Sequence, residues 1–106
     1  MERVGFAMRL LPGAEAEYRR RHAEVWPEML DALRAAGARD YSIYLDGDRL
    51  FGYLVVDDFA AFRRAMDASA INSRWQAEMA GLIDPQLDPA TGFHRRLLEV
   101  FHLETR

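Results

Sequence analysis

Residues 3–10 alternate in character. Val4, Phe6, Met8 and Leu10 share one face, while Arg3, Gly5, Ala7 and Arg9 share the other. A two-residue period predicts a β-strand, and Pro12-Gly13 ends it. From about Ala14 to Ala36 the apolar and aromatic positions Tyr18, Val25, Met29, Leu30 and Leu33 follow helical spacing. Pro27 interrupts that run. Proline lacks an N–H and pushes the preceding residue, Trp26, away from helical angles, so two helices or a strongly kinked one are expected. Tyr41-Ser42-Ile43-Tyr44-Leu45 is rich in aromatic and β-branched residues and predicts a strand. Asp46-Gly47-Asp48 is a turn signal, and Leu50 to Val56 is the returning arm of a hairpin. Asp57-Asp58 supplies an N-cap for a helix with Phe59, Phe62 and Met66 on its buried stripe. A further helix is expected from Asn72 to Gly81, with Trp75, Met79 and Leu82 as its apolar positions. Pro85 and Pro89 frame a loop, and Arg96 to Leu103 alternates again as a strand.

The resulting order, β-α-β-β-α-β, predicts an α+β fold of ferredoxin-like type, an antiparallel sheet with helices on one face. The strand from Leu50 to Val56 is apolar on both sides, with Phe51, Tyr53 and Val55 opposing Leu50, Leu54 and Val56. A sheet covered on one side only does not need this. A second copy packed on the open face explains it, so a homodimer is expected.

Composition narrows the chemistry. The chain has 106 residues, which fits a single domain over 1–106. It has no cysteine, and all 14 of its basic residues are arginine. Disulfides, thiolate nucleophiles, Cys-ligated metals, Schiff bases and a P-loop lysine are therefore excluded. A net charge of -3 argues against nucleic acid as a partner. No apolar run approaches the ~18 residues of a membrane span, and a cytoplasmic protein is expected. The seven glycines form no dinucleotide or phosphate loop. No cofactor or metal is expected.

Of the three histidines, His94 and His102 lie near the last strand, roughly 26 Å apart if extended, too far to share a metal. Neither is given a role. His22 follows Tyr18 by one helical turn and precedes Trp26 by another, so a phenol, an imidazole and an indole recur at four-residue intervals. The neighbouring Arg19-Arg20-Arg21 run is interleaved with Glu15, Glu17, Glu24 and Glu28, the pattern of a solvated, ion-paired face. On pattern alone the Tyr18/His22 face is either a pocket wall with a titratable group or an amphipathic helix whose polar tips meet solvent. Trp75 comes near His22 only if both helices cover the same side of the sheet.

At these residues the chain resembles the L-rhamnose mutarotase family over nearly its whole length. The resemblance is carried by Glu17-Tyr18-Arg19-Arg20-Arg21-His22, Trp26-Pro27-Glu28, Tyr41-Ser42-Ile43-Tyr44-Leu45-Asp46, Arg74-Trp75 and Leu98-Glu99-Val100-Phe101. It implies a ferredoxin-like protomer in a homodimer of the dimeric α+β barrel type. It also implies interconversion of the α and β anomers of L-rhamnose. His22 would be the proton donor, and Tyr18, Tyr41 and Trp75 would contact the sugar. The family pattern has two adjacent tryptophans at that last position. Here the second is Gln76, a substrate-binding position where an amide replaces a ring, which bears on the sugar more than on the reaction. A related 6-deoxy sugar such as L-fucose is the alternative substrate. The alternative functions are a non-catalytic dimeric ligand-binding module and a small monooxygenase.

Overall fold

A computed structural model describes residues 1–104. The alternating opening segment forms β1 (Glu2–Leu10), followed by α1 (Glu15–Ala23) and α2 (Pro27–Ala35). The break between the helices falls where expected. Trp26 has φ -58° and ψ 134°, and Pro27 takes the first helical position, where its missing N–H costs nothing. The hairpin follows as β2 (Ala38–Asp46) and β3 (Arg49–Val56), turning through Gly47 at φ 63°. Next come α3 (Phe59–Asp67) and α4 (Ala70–Met79). The Asp58 carboxylate caps α3 by accepting the Ala61 N–H at 3.1 Å. The Ser69 hydroxyl caps α4 by accepting the Asn72 N–H at 3.2 Å, so this helix begins two residues before the expected Asn72. Two short strands end the order, β4 (Ile83–Asp84) and β5 (Arg95–Arg96).

The sheet is antiparallel. β3 lies between β2 and β1, pairing with β1 from Glu2↔Val56 to Arg9↔Arg49. The far edge of β1 is shared: β4 pairs at Arg9 and Leu10, and β5 at Phe6 and Ala7. The α+β class and the antiparallel sheet are as expected. The four helices bury Tyr18, Met29, Phe62, Met66, Trp75 and Met79 against Val4, Phe6, Met8, Leu50, Leu54 and Val56, so they all cover one face. Phe6, Leu50, Leu54, Val4 and Val56 are the largest fully buried side chains, each contributing roughly 1.5–3 kcal/mol by leaving water.

The final strand departs from expectation. Only Arg95 and Arg96 pair as β5, and residues 97–104 form neither helix nor strand. The Leu97 N–H still reaches the Gly5 carbonyl at 2.8 Å, and Arg3 holds Glu99 through two bonds of 2.9 and 3.0 Å. The register therefore persists in side chains after the ladder has stopped. Leu98, Val100, Phe101 and Leu103 are left exposed. Among the described residues no helix is long and apolar enough to cross a membrane.

Candidate active site

The polar face of α1 is fixed by ion pairs. Glu17 accepts from Arg20 at 2.5 Å and from Arg21 at 2.7 Å, and Arg21 also pairs with Glu78 of α4. These two guanidinium groups hold the Glu17 carboxyl down at about 2. The opposite side of α1 turns inward. There Tyr18 and His22 stack, with ring centres 4.1 Å apart. α4 brings Trp75 edge-on to His22 at 5.4 Å and to Trp26 at 5.1 Å. The condition that both helices cover one face is met, and two rings converge on the imidazole, with Trp26 packed against the second.

The His22 Nδ1 lies 2.9 Å from the Tyr18 carbonyl oxygen. A carbonyl only accepts, so Nδ1 carries hydrogen and donates, leaving Nε2 as the ring nitrogen free for a ligand. The sheet supplies the floor. Phe6 lies over Gly52, where a Cβ would strike its ring, and Tyr41 of β2 meets Phe6 edge-on at 6.1 Å. A cavity of about 820 Å³ opens between helices and sheet, lined by Tyr18, His22, Tyr41, Trp75, Gln76 and His94 among others. All five residues singled out from the sequence thus border one space. Gln76 is exposed, and its amide donates to Asn72 at 3.2 Å.

Burial pushes the Tyr18 phenol up to about 12. Tyr41 is raised by burial first and then by the Tyr18 phenol. The residue as a whole keeps 38% of its surface exposed. Both phenols therefore serve as neutral hydroxyls. Among the described residues, the phenols of Tyr18 and Tyr41, the indole N–H of Trp75 and the Nε2 atoms of both cavity histidines have no protein partner. Those of Tyr18, Trp75 and the two histidines are not sealed, unsatisfied groups. They open on the cavity, as the polar groups of a small-molecule site do. No group of three His, Cys, Asp or Glu side chains that could hold a metal occurs among the described residues.

His94 also lines this cavity, although nothing in its spacing along the chain assigns it a role. Its ring stacks on Phe6 at 5.1 Å and 15°, and its Nδ1 lies 2.7 Å from the Pro85 carbonyl. The 85–94 loop folds back over the sheet to place it there. The loop is closed by Asp88 N–H to Phe93 O at 2.7 Å, Arg95 N–H to Gln86 O at 2.9 Å and a left-handed Gly92 at φ 72°. The pairing of Arg95 and Arg96 with Ala7 and Phe6 then holds the end of the loop beside Phe6.

Residues 3–103 match the profile of a family described as L-rhamnose mutarotase. A protein of Burkholderia orbicola named L-rhamnose mutarotase is 46% identical, the match covering 98% of this chain and 100% of that one. One of Listeria monocytogenes with the same name is 42% identical, over 97% of this chain and 99% of the other. The crystal structure of an L-rhamnose mutarotase of Formosa agariphila superposes with a TM-score of 0.79 at 30% identity, covering 98% and 100% of the two chains.

Proposed function

Because this chain belongs to the L-rhamnose mutarotase family, an isomerase family, we propose that its cavity binds the sugar and that His22 is the proton donor for ring opening. The enzyme interconverts the α and β anomers of L-rhamnose. From its Nε2, the His22 imidazolium gives a proton to the ring oxygen while the anomeric hydroxyl gives its own to solvent water in the cavity. The bond between the anomeric carbon and the ring oxygen breaks and leaves an open-chain aldehyde. The aldehyde turns about its carbon–carbon bond, and the same steps in reverse close either anomer. Histidine suits both directions because imidazoles ordinarily titrate near about 6.5. Tyr18 and Tyr41 hydrogen-bond sugar hydroxyls, and Trp75 offers a flat face to sugar C–H groups. Gln76 adds an amide at the rim. The reaction uses no metal, cofactor or covalent intermediate.

The observation that carries this reading is the placement of His22. Its Nδ1 is committed to the Tyr18 carbonyl, its ring is held by Tyr18 and Trp75, and its free nitrogen belongs to a cavity with unpartnered hydrogen-bonding groups. Exchange NMR between the anomers of L-rhamnose, with L-fucose and D-glucose alongside, tests it. Wild type should accelerate L-rhamnose most, and His22→Ala should lose roughly 10²–10⁴ of that acceleration while melting as a folded protein. A folded His22→Ala variant with full activity overturns the role of His22. Faster exchange of L-fucose would move the substrate and point to Gln76. Binding without acceleration would favour a non-catalytic module.

The whole chain is one such domain, a ferredoxin-like protomer that pairs as a homodimeric α+β barrel. The uncovered sheet face carries Phe51, Tyr53 and Tyr44, and the segment after β5 presents Val100 and Phe101 at 89% and 79% exposure. A second copy is the occupant that suits this surface. Cytoplasmic residence fits a chain without a cysteine to oxidise.

A further inference from the structure

We propose that His94 is a specificity-determining residue: its Nε2 accepts a hydrogen from one non-anomeric hydroxyl of the bound sugar. The inference rests on the mutarotase reading of the same cavity. The two cavity histidines are anchored alike, each with Nδ1 against a backbone carbonyl, Tyr18 for His22 and Pro85 for His94. In both, this anchor fixes the ring and leaves Nε2 toward the ligand space. Their surroundings differ. His22 sits among Tyr18 and Trp75, whereas His94 is stacked on Phe6 and meets the edge of Phe93 at 5.0 Å.

Two further features keep His94 neutral. Burial lowers its pKa, opposed in part by its bond to the Pro85 carbonyl, and the Arg63 guanidinium lowers it again. Arg63 lies 5.5 Å over the Phe93 ring and has no ion-pair partner among the described residues. The other titratable groups lining the cavity are Asp67, His22, Arg19 and the phenols of Tyr18 and Tyr41. A neutral imidazole with hydrogen on Nδ1 has one lone pair to offer, on Nε2. That atom has no protein partner and is not sealed from the cavity. An acceptor of this kind reads a sugar hydroxyl and discriminates against an analogue that lacks it. Proton transfer at the anomeric centre remains with His22.

The test is anomer-exchange NMR on the whole chain at neutral pH, using L-rhamnose and its 2-, 3- and 4-deoxy analogues as probes. His94→Phe keeps a ring over Phe6 and removes the acceptor. It should raise KM for L-rhamnose about tenfold while kcat stays within about threefold. For one deoxy analogue, wild type and His94→Phe should share the same KM, because the partner hydroxyl is already gone. His94→Gln, whose amide oxygen accepts, should recover part of the loss, and it carries the test if the phenylalanine variant melts early. An unchanged KM in His94→Phe overturns the proposal, as does a loss confined to kcat or an equal loss for all four sugars. Wild type that accelerates L-rhamnose while His94→Phe is unaffected sinks this inference alone. Wild type without any acceleration sinks the mutarotase reading and this inference with it.

Discussion

At Gly52 the cavity floor depends on a missing methyl group. A Cβ there would enter the Phe6 ring, and Phe6 carries both the His94 stack and the Tyr41 edge contact. Phe6 is 1% exposed, and those two contacts hold its ring. Gly52→Ala should therefore destabilise the fold by roughly 1–3 kcal/mol, the usual cost of overpacking a core. Any variant that still folds should also bind sugar more weakly, because a displaced Phe6 takes His94 with it. Urea unfolding measures the first effect and sugar titration the second. Wild-type stability in Gly52→Ala would mean that Phe6 is not pinned as described. The residue-scale logic of the site is thus partly one of absence: a glycine on the sheet permits an aromatic floor, and that floor positions a histidine from a distant loop.

Local chemistry explains which elements were legible in the sequence. The division of α1 from α2 could be read because Pro27 acts on its immediate neighbours, and the α3 cap because Asp58 acts three residues ahead. The Tyr18/His22 face follows from helical spacing alone. The approach of Trp75 needs two helices to choose the same side of the sheet, which spacing alone leaves conditional. β4 and β5 are two residues each and have no periodicity to detect; they exist because β1 has an edge to share. The expected strand from Arg96 to Leu103 has the right alternation, but alternation specifies a pattern and not a partner. Beyond Leu97 no neighbouring backbone among the described residues takes up its hydrogen bonds. His94 escaped for a related reason. Its neighbours along the chain describe a loop, and only the return of that loop onto Phe6 makes it part of a site.

For the molecule as a whole, the shifted groups combine into a stability profile with a defined sign. Glu17, Asp57 and Glu99 are lowered by their arginine partners from ordinary values of 4.5, 3.8 and 4.5. Their contributions are complete above those values and are lost as pH falls through the folded ones, to about 2 for Glu17. His94, lowered from 6.5, acts in the same direction: stability falls as pH drops below 6.5, because the unfolded imidazole takes up a proton more readily. Tyr18 and Tyr41 are raised from 10.0, so stability falls again as pH climbs above 10 toward about 12 for Tyr18. Thermal melts across pH should show a plateau from about 7 to 9.5, and His94→Phe should flatten its acid shoulder below the ordinary imidazole value of 6.5. The carboxylate pairs are surface pairs, so the deeper acid limb should be shallow and should weaken in salt. A maximum below pH 5 would contradict these shifts. The proposed homodimer belongs to the same scale. An uncovered sheet face bearing Tyr44 and Tyr53 and the exposed Leu98, Val100, Phe101 and Leu103 are two apolar surfaces of one chain. In the proposed homodimer a two-fold axis would let each copy cover the other's, and it would give the alternating terminal segment a neighbour from the second copy. Sedimentation equilibrium should give a mass of twice 12.2 kDa. Val100→Glu with Phe101→Glu should return it to one chain, since two carboxylates would be buried at the contact. The core cluster contains neither residue, so the variant should remain folded. A single-chain mass for wild type at every concentration would overturn the dimer, while a dimer unaffected by the double substitution would move the interface away from the terminal segment.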